Sequence, residues 1–187
     1  MTPVMRRIAT LTLALLSLAL TTACASHTPP PPTPTHTTTT SPTPKPIAQQ
    51  NPKERVQNFF NAADQAAAHG WKDLRYNHEF LVPDVAAKSE EGDKDNAATG
   101  AIITGPRHLT DWTTINTTST TSIIEFCNNI RDQKASKDGK PVTISNEGNG
   151  EAVSRFTLIR RDDKSPWMIK EMGYYPESMS CAEHFKH

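Results

Sequence analysis

The chain of 187 residues has little of what a catalytic or nucleic-acid-binding protein displays. Aromatic residues make up 6% and hydrophobic residues 35%. Twenty Lys and Arg stand against twenty Asp and Glu, for a formal net charge of zero. That balance excludes a generally basic surface for a phosphate backbone and an acidic tail, so no nucleic-acid partner is expected. There is no G-x-S-x-G elbow, no P-loop and no dinucleotide fingerprint. C-x-x-C is missing too, and the seven histidines are dispersed. Asp93, Asp95 and Asn96 lack the glycine and closing Glu of a calcium loop. No metal and no cofactor are therefore expected. The length allows about one domain.

Long hydrophobic runs are scarce as well. The longest, Ile8 to Leu20, is broken by Thr10, Thr12 and Ser17. It falls short of the roughly 20 residues that span a bilayer. It has the length of a signal-peptide apolar region, and Arg6 and Arg7 supply the positive charge before it. Leu20-Thr21-Thr22-Ala23-Cys24 follows. These residues resemble the lipobox of bacterial lipoproteins, although Thr21 stands where that family usually has Leu. The resemblance implies a signal peptide over 1–23. It also implies diacylglycerol on Cys24, further acylation of the palmitate kind, and residence on the outer side of the cell membrane. The other reading of the same residues is cleavage after Ala23-Cys24-Ala25, which releases a soluble protein.

Residues 24–50 read as a tether. Eight of the 15 prolines lie between Pro29 and Pro46, interleaved with Thr. Such a segment buries too little apolar surface to offset the entropy of ordering. As a polyproline-like spacer at about 3.1 Å per residue it reaches on the order of 75 Å. Clustered Thr and Pro also fit an O-glycosylated stalk.

Residues 51–187 carry the periodicity of a folded domain. Asn51 can cap a helix with Pro52 in its first position. Val56, Phe59, Phe60, Ala63, Ala66 and Ala67 make one apolar face, and Gly70 ends it. A shorter helix is expected with Trp71, Leu74, Tyr76 and Phe80 as its contacts. A third starts at Pro83, but Glu90 to Asn96 is too polar to assign, and Gly100 and Gly105-Pro106 mark the end of the helical half. From Thr113 to Cys127 the Thr- and Ile-rich sequence reads as one long strand or two. Turns are expected at Lys137–Lys140 and between Asn146 and Gly150. Further strands follow around Val153–Ile159 and Trp167–Tyr174. Helices first and antiparallel strands last give an α+β domain with helices on one face of a curved antiparallel sheet.

That order, with Phe59-Phe60 on the first helix and Pro166-Trp167-Met168-Ile169 on the last strand, resembles the NTF2-like (SnoaL-like) cone of small actinobacterial lipoproteins. A cystatin-like domain is the topological alternative. The resemblance implies a cone whose aromatics, Trp71, Tyr76, Trp112 and Trp167, either line a ligand pocket or pack as core. It also raises an enzyme reading, for which Tyr76, His78, Asp111 and Glu125 are the available residues.

Three cysteines remain to be placed. With Cys24 acylated, Cys127 and Cys181 are left as a pair, and an exported setting favours a disulfide between them. Closing so long a loop is worth about 4 kcal/mol in the chain-entropy account. The expectation is a membrane-anchored lipoprotein whose domain is a non-catalytic binding or assembly module of the cell envelope, with an envelope protein as partner. The alternatives are an enzyme or small apolar-ligand carrier using the cone, and a prophage-encoded lipoprotein that excludes superinfection.

Overall fold

The computed structural model describes residues 45–143, 149–176 and 179–186. The signal-like segment, Cys24 and most of the tether lie outside the described residues, as does part of the expected turn between Asn146 and Gly150. None of the described helices is long and apolar enough to cross a membrane.

Helix α1 spans Pro52–Ala68 and starts as its sequence dictates. The Asn51 side chain accepts the Glu54 N–H at 2.9 Å, and Glu54 accepts the Asn51 N–H at 2.7 Å. This reciprocal box satisfies two amides that the first turn leaves unpaired. A single 3₁₀ turn, Ile47–Gln49, precedes it, and Lys45 pairs with Glu54 at 3.0 Å.

Trp71 was expected on the second helix. It sits instead in the connecting turn at φ +53, just after Gly70 at φ +69, and α2 runs only over Arg75–Phe80. Helix α3 covers Pro83–Ala98, so the polar stretch left unassigned is helical. Tertiary contacts settle it: Asp93 is buried there and accepts the Tyr76 hydroxyl at 2.6 Å and the Asn77 side-chain amide at 2.8 Å.

The strands form two antiparallel sheets rather than one. The larger is a meander, β2 (His108–Thr117), β3 (Thr121–Asn129), β6 (Glu151–Ile159) and β7 (Met168–Tyr174). The smaller joins β1 (Ala101–Thr104), β4 (Lys134–Lys137) and β5 (Lys140–Val142). The β4–β5 turn is the expected Asp138-Gly139, with both residues at positive φ. Gly105, at φ +101, lets the chain leave β1 past the Asp132 carbonyl, where an added Cβ would come within 2.5 Å. A short α4 (Cys181–His184) closes the chain.

Alternation along β3 and β6 divides the side chains of the large sheet between two faces. Ile124, Phe126, Phe156 and Leu158 point inward to Val56, Phe59 and Phe60 of α1 and to Phe80 and Leu81. Phe126 is the hub, 5.1 Å from Phe156, 6.0 Å from Phe60 and stacked on Trp112 at 4.6 Å between ring centres. Cys127 and Val153 point outward and meet Cys181. A separate cluster of Ala66, Ala67 and Trp71 packs with Ile103 of the small sheet.

The helices are fixed to the sheet by a buried cation. Arg55 is 1% exposed. Its Nε donates to the Trp167 carbonyl at 2.9 Å, its Nη2 donates to the Glu79 carbonyl, and the guanidinium lies 4.1 Å from the centre of the Phe80 ring. Beside it, Leu81 bridges to Ile169 in parallel, and the Val82 N–H donates to the Ile169 carbonyl at 3.0 Å. Replacing Arg55 with Ala removes the partner of the buried Trp167 carbonyl and of the part-buried Glu79 carbonyl and is expected to cost about 3 kcal/mol. Arg55→Lys lacks the planar fork and should recover little of it. Urea unfolding of both variants checks this; a Lys variant as stable as the parent would show that charge alone suffices.

Candidate functional site

Of the residues singled out in the sequence, Cys127 and Cys181 come together. Their sulfurs stand 2.02 Å apart with the Cα atoms at 5.6 Å, disulfide geometry. Glu151 lies beside them, its Oε1 3.3 Å from Cys127 Sγ. The three form a potential metal-ligand group in geometry, but the sulfurs are bonded to each other, so no thiolate is available to an ion.

The four pocket candidates do not converge. Trp71 is buried in the cluster beneath the small sheet. Trp167 is buried in the main core, under the Arg160 guanidinium at 4.5 Å. Trp112 stacks on Phe126, donates its Nε1–H to the Leu109 carbonyl at 3.1 Å and carries the Lys53 ammonium 5.2 Å over its ring. Tyr76 alone of the four lines a described cavity, a groove of about 640 Å³ between α1 and α2, with Gln65, His69, Lys72, Arg75 and Glu79. Burial pushes its phenol pKa up, and the hydrogen bond to Asp93 adds to the rise. His78 is exposed and pairs with Glu90 at 3.3 Å, and Asp111 sits in a bulge of β2 at φ +53, taking the Thr110 hydroxyl.

Two polar centres are present that the sequence did not announce. At one end of α1, Asp64 accepts a bidentate pair from Arg107, with the nearest contact 2.7 Å, and a third hydrogen bond from Gln133 at 3.1 Å. Arg107 also donates to Asn128 at 3.1 Å and lies 4.6 Å over Phe60. Arg107 borders two further grooves, of about 530 and 470 Å³, which share Asn61 of α1. The exposed side of α1 is thus flanked by open grooves of mixed polar and apolar lining. A fourth groove, of about 730 Å³, runs beside the small sheet past Ile130, Ala135, Pro141 and Val142.

The second centre is on the outer face of the large sheet. Glu125 is 4% exposed. Tyr175 donates its hydroxyl to Oε1 at 2.6 Å, and His184 Nε2 meets Oε2 at 2.8 Å. A carboxylate only accepts, so Nε2 carries the proton. Arg155 stands 3.5 Å away. The His184 ring lies 4.8 Å from Tyr175 and 4.7 Å from Phe185. Glu125 was considered as a base inside a cone; it points to the opposite face, beneath the C-terminal segment. No sequence spacing links residues 125 and 184; the alternation that turns Glu125 and Cys127 to one side of β3 is the signal that brings His184 there with Cys181.

No known family and no curated protein matches the sequence. Among solved structures the chain is similar to the intermembrane space region of the chloroplast protein ARC6, at 11% identity and a TM-score of 0.43, over 67% of this chain and 97% of that one. A likeness of that depth decides nothing about fold or function.

Burial pushes the Glu125 carboxyl up, but the hydrogen bonds from Tyr175 and His184 outweigh it and hold the pKa below its ordinary 4.5. The unfolded chain therefore binds this proton more readily than the folded one. The contribution to stability is fully present above pH 4.5 and is lost as the pH falls through the folded value beneath it. Glu125→Gln is expected to flatten the acid limb of the stability-against-pH curve while lowering stability at neutral pH. Denaturant midpoints from neutral pH into the acid range check the slope.

Proposed function

We propose that this chain is a bacterial lipoprotein held by diacylglycerol on Cys24 at the outer side of the cell membrane. Its domain, borne on a Thr- and Pro-rich spacer, is a non-catalytic binding or assembly module with an envelope protein as partner. The observation that carries the reading is the order of the sequence: two arginines, a short apolar run, Cys24 among small residues, then the proline-rich spacer. Cys127 and Cys181 at bonding distance suit the oxidising side of a membrane.

The domain itself is proposed to be an NTF2-like cone. Three helices precede the strands and lie against the inner face of a four-stranded meander. Tyr174, on that face against Phe156, is 58% exposed, as expected at the open end of such a cone. A binding role is supported by how the chemistry is spent. The tryptophans serve the clusters, and Glu125 gives both oxygens to Tyr175 and His184. The grooves along α1 offer polar side chains of both charges, which suits a protein surface better than an apolar ligand.

The anchor is testable in cells. Cys24→Ser is expected to abolish labelling by a fatty-acid analogue and to move the protein from the membrane fraction to the medium, or to leave it unprocessed. Labelling that persists in the variant would sink the anchor. Crosslinking in intact envelopes then asks for the partner, with Asn61 and Gln65 as attachment points.

A further inference from the structure

The C-terminal strap, Met179 to Lys186, packs Met179 and Phe185 against the Cys127–Val153–Cys181 cluster on the outer face of the large sheet and is tied there at two further points. One is covalent, Cys181 to Cys127. The other is polar, His184 to Glu125, with Tyr175 closing the second carboxylate oxygen. The two lie side by side for a geometric reason. Glu125 and Cys127 are two apart on β3 and share a face. Cys181 and His184 are three apart on α4 and share a side of that turn. Ser180 fixes the start of the turn by accepting the Glu183 N–H at 3.2 Å, so Cys181 and His184 are placed as one rigid unit.

We propose that the Glu125–His184–Tyr175 contact positions the disulfide. In the reduced chain it holds α4 on the sheet with the Cys181 thiol against that of Cys127. Glu125, His184 and Tyr175 are positioning residues in this step. The inference goes beyond the binding-module reading and stands whether or not Cys24 carries lipid.

Oxidation by a disulfide reagent proceeds in two exchanges. One cysteine thiolate attacks the reagent, which loses one thiol and leaves a mixed disulfide. The other cysteine then attacks that sulfur, the Cys127–Cys181 bond forms, and the second thiol departs. The pair has lost two electrons and two protons, and the reagent has gained them. Only the second exchange is intramolecular, so it depends on the effective concentration of one sulfur at the other. A contact that keeps the strap closed raises that concentration, and by linkage the disulfide strengthens the contact in return. Both hydrogen bonds end on a carboxylate that is 4% exposed, where charge-assisted bonds are strong. The charged groups facing Glu125 are Arg155 from β6 and His184 from α4. Glu151 turns its second oxygen to Arg131 at 2.8 Å and so belongs to the sulfur side of the site.

The test is the thiol–disulfide equilibrium of the Cys24→Ser chain, which has this pair alone, in buffers of reduced and oxidised glutathione at neutral pH. Glu125→Gln is expected to lower the equilibrium constant for oxidation by about tenfold, and Tyr175→Phe by a smaller factor in the same direction. Tyr175→Phe removes only a hydroxyl, so it decides the matter if the Gln variant folds poorly. The same variants should release the strap to protease once reduced, while the reduced parent keeps it protected. An equilibrium constant unchanged in the Phe variant, with the loss showing only as a lower urea midpoint of the oxidised protein, would mean that the contact is merely structural. A reduced parent cut as fast as the variants would overturn the proposal as well.

Discussion

The domain is organised around the burial of one charge. Arg55 sits in the core with its Nε and Nη2 meeting carbonyls, and those carbonyls belong to elements far apart in sequence. Trp167 leads into β7 and Glu79 lies at the end of α2. Burial pushes the guanidinium pKa down, and the Glu79 carboxylate pushes it back. A buried cation is a poor source of net stability. What it does here is tie α1 to the end of α2 and to the start of β7 at once. The parallel bridge of Leu81 to Ile169 follows from the same constraint and seats α2 and α3 along the sheet edge.

From that seating the sheet acquires two unlike faces. Inward, the Phe126 cluster takes the apolar stripe of α1, at a burial value of roughly 1.5–3 kcal/mol for each large side chain. Outward, β3 presents a carboxylate and a cysteine. The strap covers them with a histidine and the other cysteine, and Tyr175, just after β7, meets the second carboxylate oxygen. Apolar packing of Met179 and Phe185 against Val153 and the two cysteines flanks these polar contacts.

How much of this was legible follows from the range of each contact. The Asn51 and Pro52 start of α1, its apolar stripe and the Asp138-Gly139 hairpin are local signals, and each is found where the residues put it. Cys127 and Cys181 could be paired because counting needs no distance. The second sheet was not legible. Ala101–Thr104 is a strand only because Lys134–Lys137 lies beside it, and four residues between glycines carry no period. The polar end of α3 was unassigned for a related reason: Asp93 belongs to Tyr76 and Asn77, a contact between helices that no single-helix pattern encodes. Trp71 looked like a helix contact by composition, yet the chain bends through two positive-φ residues to deliver it to a different cluster. The aromatic residues were read by type, and type does not separate a pocket wall from a core.

The same distinction governs where recognition can occur. A chain with 6% aromatics has few large side chains to divide between stability and binding. Here Trp71, Trp167 and Phe126 are committed to packing, and Trp112 is held between Phe126 and the Lys53 ammonium. Among the described residues, surface left over for recognition includes the groove beside the small sheet and the exposed side of α1, where Asn58, Asn61 and Gln65 border grooves whose far walls come from α2 and from the start of β2. Under the proposed binding role, such a surface would gain affinity through contacts on a preformed scaffold. Rigidity then matters more than pocket depth. The buried Arg55, the Asp64–Arg107 pair and the strap each remove a way in which that scaffold could shift.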